Sequence, residues 1–208
     1  MKKLAVAVLA VLFIAPAAFA DNWGVGVKLG AGENDPKDMK AVYDDAVGFN
    51  RELDRSAAFL GLEALYEIDL NDEANKLGMK LGVDMYGENK LEISGWGIYD
   101  EIKEETYAFP LTVYYKRDNG IRNFSWFAGA GATLIHSKIE EKGSFGKGSW
   151  RKNKVFPHVV VGGEYRFTKL FALGVEARYN FGAKTKKDGD VLSDRSGFGG
   201  AVTSRFYF

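Results

Sequence analysis

SGFGGAVTSRFYF, Ser196 to Phe208, is the stretch whose face pattern decides the fold. Successive residues of a strand point to opposite sides. Phe198, Val202, Phe206 and Phe208 therefore share one face, and Ala201, Thr203, Arg205 and Tyr207 share the other. A strand with lipid on its apolar side and a lumen on its polar side ends naturally on an exposed aromatic residue. An edge strand on a soluble core alternates in the same way, so this stretch alone leaves both open.

Seven earlier segments repeat the pattern. Their apolar faces run from Trp23 to Leu29, Leu60 to Ile68, Leu77 to Met85, Tyr107 to Tyr115, Trp126 to Leu134, Val159 to Tyr165 and Phe171 to Phe181. Three features separate a membrane barrel from a soluble sheet. The connections alternate in length: short ones lie near Asn71 to Lys76, Asp118 to Asn123 and Thr168 to Leu170. Long ones are Ala31 to Ser56, Gly87 to Glu104, Glu141 to Lys154 and Ala183 to Arg195. Short turns at one end and long loops at the other suit an outer-membrane barrel.

Aromatic residues collect at strand ends. Trp23, Tyr66, Tyr115, Trp126, Tyr165, Phe167, Phe171, Phe206 and Phe208 fall toward the short turns, and Tyr107, Phe109, Tyr179, Phe181 and Phe198 toward the loops. Two aromatic girdles around an aliphatic band match two membrane interfaces. The non-apolar face carries glycine and charge: Lys28, Lys80, Lys116, Arg166, Arg178 and Arg205 against Glu63, Glu67, Asp84, Glu164 and Glu176. In a narrow lumen these charges are expected to neutralise one another, with water in the gaps. The expected fold is all-β: an eight-stranded antiparallel up-and-down transmembrane β-barrel over residues 21–208.

Before that domain, Met1 to Ala20 reads as a secretory signal peptide. Lys2 and Lys3 precede the apolar run Leu4 to Ile14, Pro16 breaks it, and Ala18-Phe19-Ala20 fits the cleavage pattern. Removing Lys2 and Lys3 from the 28 basic residues leaves 26 against 28 acidic ones, a formal charge of −2. That balance gives no electrostatic case for nucleic acid. There is no cysteine, so neither a disulfide framework nor a lipid-attachable thiol is available.

The run from Phe109-Pro110-Leu111 through Trp126-Phe127-Ala128-Gly129-Ala130-Gly131 and Val161-Gly162-Gly163-Glu164-Tyr165-Arg166-Phe167 to Leu173-Gly174-Val175-Glu176-Ala177-Arg178-Tyr179 resembles the small outer-membrane barrel superfamily. That superfamily includes the OmpA transmembrane domain, OmpX, OmpW and the opacity-type proteins. The resemblance implies localisation in the outer membrane, a bilayer containing lipopolysaccharide as the surroundings, and a monomer. It also implies insertion by the barrel assembly machinery, with Phe208 resembling the assembly signal.

Candidates for chemistry are few. His136 and Ser137 are adjacent on a strand, so they face opposite ways, which is poor geometry for a base and its nucleophile. His158 falls on the lumen face and is expected to hydrogen-bond to a lumen carboxylate. Asp188-Gly189-Asp190 lacks the spacing of a calcium loop, and no cofactor or metal is expected. In the first long loop Asp35-Pro36 opens a helical pattern through Met39, Val42, Tyr43, Ala46 and Val47 to Gly48, a short amphipathic helix. The third loop is basic, and Lys142, Lys147, Arg151 and Lys152 are candidate contacts to glycolipid phosphates. The expected role is a non-enzymatic surface barrel presenting four loops. A narrow OmpW-like channel for small solutes, a lipid A-modifying barrel enzyme and a soluble periplasmic β-protein are the alternatives.

Overall fold

A computed structural model describes residues 23–208, apart from 34, 47, 55, 71–73, 97, 120–122, 145 and 188–189; at 37–38, 185–187 and 190–193 it describes the backbone alone. The expected leader, together with Val47 and Asp188-Gly189, lies outside the described residues. In chain order the elements are β1 (Trp23–Gly32), α1 (Lys37–Asp45), β2 (Asn50–Asp54), β3 (Ala58–Asp69), β4 (Asn75–Tyr86), β5 (Asn89–Gly95), β6 (Ile98–Asp118), β7 (Phe124–Gly143), β8 (Gly146–Arg166), β9 (Phe171–Asn180), β10 (Lys184–Lys187), β11 (Asp190–Asp194) and β12 (Gly197–Tyr207).

Eight of these strands form a closed antiparallel ring, β1-β3-β4-β6-β7-β8-β9-β12, and β12 returns to β1. The closing ladder runs from Gly24↔Tyr207 to Gly32↔Gly199. Below it the Phe208 amide donates to the Trp23 carbonyl at 2.8 Å. Closure pairs the backbone groups that an open sheet edge would leave bare in hydrocarbon.

The side chains are sorted as a soluble protein would not sort them. Leu29, Val155 and Val175 point outward and are 65, 61 and 61% exposed, whereas Lys28, Glu63 and Asp84 point inward and are at most 2% exposed. Only a solvent less polar than the lumen makes that arrangement favourable. At the short-turn end the outward rings touch in pairs and chains: Trp23–Tyr66, Tyr115–Trp126, and Tyr165–Phe167–Phe171–Phe206. At the loop end Tyr179 meets Phe181 and Phe198, each at 4.8 Å. The turn after β8 is fixed locally. The Thr168 hydroxyl accepts from the Leu170 and Phe171 amides, and the Phe167 amide donates to the Phe171 carbonyl.

The long connections differ from the expected loops. Crossing a bilayer takes about 9–11 strand residues, yet β6, β7 and β8 have 21, 20 and 21. Within the stretch Glu141 to Lys154, β7 runs on to Gly143 and β8 begins at Gly146, the two paired at Gly143↔Gly146, where Gly146 has φ +143°. Much of Gly87 to Glu104 is strand as well. β5 pairs with β6 from Asn89↔Glu104 to Gly95↔Ile98, and β2 adds to β5 as an edge. Above the bilayer the outward side chains no longer need to be apolar, so the alternation that marks the lower strands disappears while the ladder continues. The fourth loop holds the β10–β11 hairpin.

The helix is present but shorter than the Asp35 to Gly48 pattern, spanning Lys37–Asp45. Asp35 instead bridges Asp194, and Gly48 turns the chain after the helix with φ +90°. The helix lies against β11 and β2; Met39 is buried, while Val42 stays 40% exposed. Helix, hairpin and the sheet β2-β5-β6-β7-β8 make a folded cap in which Leu91, Met39 and Ile139 are each buried.

Candidate functional site

The lumen buries ten charged side chains in two equal sets: Lys28, Lys80, Lys116, Arg178 and Arg205, and Glu63, Glu67, Asp84, Glu164 and Glu176. A buried charge is tolerated when it is paired and hydrogen-bonded. Arg205, on β12, is the hub. Its Nε donates to Glu63 Oε1 at 2.6 Å, Nη1 to Glu164 Oε2 at 2.9 Å and Nη2 to Glu176 Oε2 at 3.4 Å. Lys116 bridges Glu67 at 3.0 Å and Glu164 at 2.8 Å. Lys80 holds Glu176 at 2.5 Å. Lys28 and Arg178 share Asp84 at 2.7 and 3.0 Å. Arg166 departs from the expected set. It lies at the rim, 32% exposed, with Glu164 at 3.8 Å and its guanidinium over the Tyr207 ring. Without Arg166 the buried interior is neutral.

Aromatic rings complete the plug. The Tyr114 hydroxyl donates to Glu67 at 2.9 Å and the Tyr207 hydroxyl to Glu164 at 2.7 Å. Phe127 lies under both Lys80 and Arg205, with cation-to-centroid distances of 4.9 and 5.2 Å. Glycines make the room. A Cβ on Gly78 would lie 2.2 Å from the Tyr114 ring, and one on Gly162 would lie 2.3 Å from the Phe127 ring. Two cavities of about 10 Å³ each flank the Glu176–Arg178 stretch, room for about one water apiece.

A second buried cluster closes the outer mouth. Arg195, between β11 and β12, reaches Thr106 at 2.9 Å and Glu104 at 3.4 Å and lies over the Tyr86 ring. Asn89 donates to the same Glu104 at 2.9 Å. Sequence reasoning passed over Asn89, Glu104 and Arg195 because they sit in stretches expected to be loops. It also passed over Tyr114, Phe127 and Tyr207 as site residues, although their inward register was legible.

The histidines are placed apart from each other. His158 is buried between the Thr112 and Thr133 hydroxyls, each 2.9 Å from a ring nitrogen. Its expected carboxylate partner is absent, because the inward residues beside it on the barrel wall are those threonines. His136 faces outward to Asn153, while Ser137 faces inward to Thr106. Among the described residues no cluster of histidine and carboxylate could hold a metal.

On the cap, Lys142, Lys147 and Arg151 share the outward, exposed face with Lys138, and Lys152 lies on the opposite face of β8. Lys138 is hydrogen-bonded to Glu140, and that bond holds the Glu140 carboxyl below its ordinary range.

A family model described as outer membrane protein beta-barrel domain matches residues 4–206. Among solved structures, the outer membrane protein OprG from Pseudomonas aeruginosa is similar with a TM-score of 0.52 and 11% identity, over 90% of this chain and 96% of that one. Ail, the attachment invasion locus protein of Yersinia pestis, in complex with the heparin analogue sucrose octasulfate, has a TM-score of 0.50 and 13% identity, over 89% of this chain and 97% of that one. At such identities the likeness is one of fold. No curated protein matches the chain.

Proposed function

The chain belongs to the outer membrane protein beta-barrel domain family, and from that premise we propose a sealed, non-enzymatic barrel whose work is done by its outward cap. The observation that carries this is the filled lumen. Five cations and five anions pair across it, and the two cavities seen there among the described residues hold about 10 Å³ each. A hydrated ion or small solute needs a continuous path several times wider. The filling favours a surface role over the narrow-channel alternative.

An enzymatic role has less support. His158 is enclosed by two threonines inside the barrel, out of reach of a lipid substrate, and His136 and Ser137 are separated by the barrel wall. In this proposal the leader directs export and is removed, and Phe208, exposed beside Trp23 at the seam, is read by the assembly machinery. The barrel works as a single copy.

The test is recording in planar bilayers containing the refolded full chain. The expected result is a silent bilayer after insertion is verified by a boiled-versus-unboiled gel. Stable, reproducible conductance steps would overturn the sealed-barrel proposal. Unchanged lipid A composition with and without the protein, read by mass spectrometry, is the expected result for a non-enzyme.

A further inference from the structure

The outward face of the cap changes character between two adjacent strand pairs. Across β6 and β7 the facing residues alternate in sign: Glu105↔Lys138, Lys103↔Glu140 and Glu101↔Lys142. Across β7 and β8 they do not. Lys138 faces Arg151 and Lys142 faces Lys147, with Glu140 facing the uncharged Ser149 between them. Opposite charges placed directly across a sheet stabilise it and like charges destabilise it. Glu140 is drawn to Lys138, and Glu101 is held by Lys103 and Lys90. Among the described residues, Lys142, Lys147 and Arg151 form no ion pair. All three are exposed. On its far side, β8 pairs with β9 only from His158 downward, and the other strand that approaches β8, β10, has the sequence Lys-Thr-Lys-Lys.

The position of the column matters as much as its charge. Directly beneath it on the same face are His136↔Asn153 and then Leu134↔Val155, which are 40 and 61% exposed and belong to the apolar belt. From Leu134 to Lys138 is about 13 Å along the strand at roughly 3.3 Å per residue, or about 9 Å of height at a tilt of ~45°. Lys138 and Arg151 therefore stand just above the hydrocarbon, and Lys142 and Lys147 stand higher, roughly 19 Å above Leu134 at the same rise and tilt. They face away from the barrel axis, toward whatever stands beside the protein in the same leaflet.

We propose that Arg151, Lys147, Lys142 and Lys138 form a docking face for the phosphorylated headgroup of a neighbouring outer-leaflet glycolipid, its acyl chains lying on the belt below Leu134 and Val155. The proposal rests on the outer-membrane reading above. Arg151 and Lys147 supply charge that no carboxylate among the described residues pairs with. The guanidinium offers paired donors to one phosphate and the ammonium a movable point charge to another. A lipid satisfies charge and belt at once, which a soluble polyanion arriving from above does not. The same cations on an open edge also discourage pairing with another strand. The experiment separates that role from lipid capture.

The test reconstitutes the full chain in phosphatidylcholine nanodiscs with and without a few mole per cent of bisphosphorylated lipid A, and measures by mass spectrometry how much lipid A stays bound on transfer to neutral detergent. Arg151→Gln/Lys147→Gln is expected to lower retention at least tenfold. Lys152→Gln/Lys154→Gln, which removes equal charge from the other face of β8, is expected to change it less than twofold. Retention is expected to fall in 0.5 M salt, to be low for dephosphorylated lipid A, and to persist in inorganic phosphate at matched phosphate concentration. Equal loss in both double variants, equal retention of dephosphorylated lipid, or full competition by inorganic phosphate would each overturn the proposal. If the variants run as closed barrels on an unboiled gel and retain lipid A like wild type, this site is wrong and the outer-membrane reading stands. If wild type itself fails to insert, the fault lies with that reading.

Discussion

Arg205 shows how much a single side chain holds in this lumen. It is nearly fully buried and contacts three carboxylates contributed by three other strands. Arg205→Met would remove the cation hydrogen-bonded to Glu63 and leave its ion pair with the more distant Lys28 ammonium, at 3.9 Å. Breaking a buried pair from one side costs about 3–5 kcal/mol, and a loss of that size is expected in urea unfolding of the barrel from lipid vesicles. Val175 tests the opposite surface. It points to lipid, 61% exposed, in mid-strand. Val175→Arg is expected to cost about 2–4 kcal/mol in the same assay, the range for a cation near the bilayer midplane. Both residues were legible in the sequence, because a period of two assigns a face to each once one face is known. The pairings were not. Which carboxylate answers Arg205 depends on ring closure, which brings β3, β8 and β9 to it from positions 29 to 142 residues away.

At the scale of elements, the eight barrel strands could be read from the chain, and their upper extensions could not. Glu101, Lys103 and Glu105 face outward on β6 and Lys138, Glu140 and Lys142 on β7. They carry no apolar signal because they stand above the acyl chains. The ladder persists there by inheritance, each pair continuing the register fixed below. The helix in the first loop was legible from its spacing, but its cover was not, since the helix lies against β11, far along the chain. Close packing of glycine against rings gives a test of how the strands fit. Gly162→Ala is expected to destabilise the barrel because its Cβ would strike Phe127. Gly162→Ala/Phe127→Leu is expected to recover part of the loss, a non-additive result in a double-mutant cycle. The mouth latch is separable. Arg195→Gln should loosen the β10–β11 hairpin and speed tryptic cleavage within Lys184–Lys187, while the boiled-versus-unboiled gel still reports a closed barrel.

For the whole molecule, one inversion organises everything: apolar side chains outward to lipid, charge and glycine inward to a lumen they fill. The outward cap rises from the same strands, so its position and orientation follow from the barrel rather than from flexible loops. The chain contains no cysteine, so single cysteines can be introduced and spin-labelled one at a time. The most direct measurement is the accessibility of labels at Leu173, Val175 and Ala177 on β9, and at Val202 on β12, to lipid-soluble oxygen and to a water-soluble nickel chelate in reconstituted bilayers. Labels at Lys147 and Arg151 serve as the aqueous reference. The inversion predicts that oxygen relaxes the four barrel labels strongly, the chelate hardly touches them, and the two cap labels show the reverse. Barrel labels that respond to the chelate as the cap labels do would contradict it.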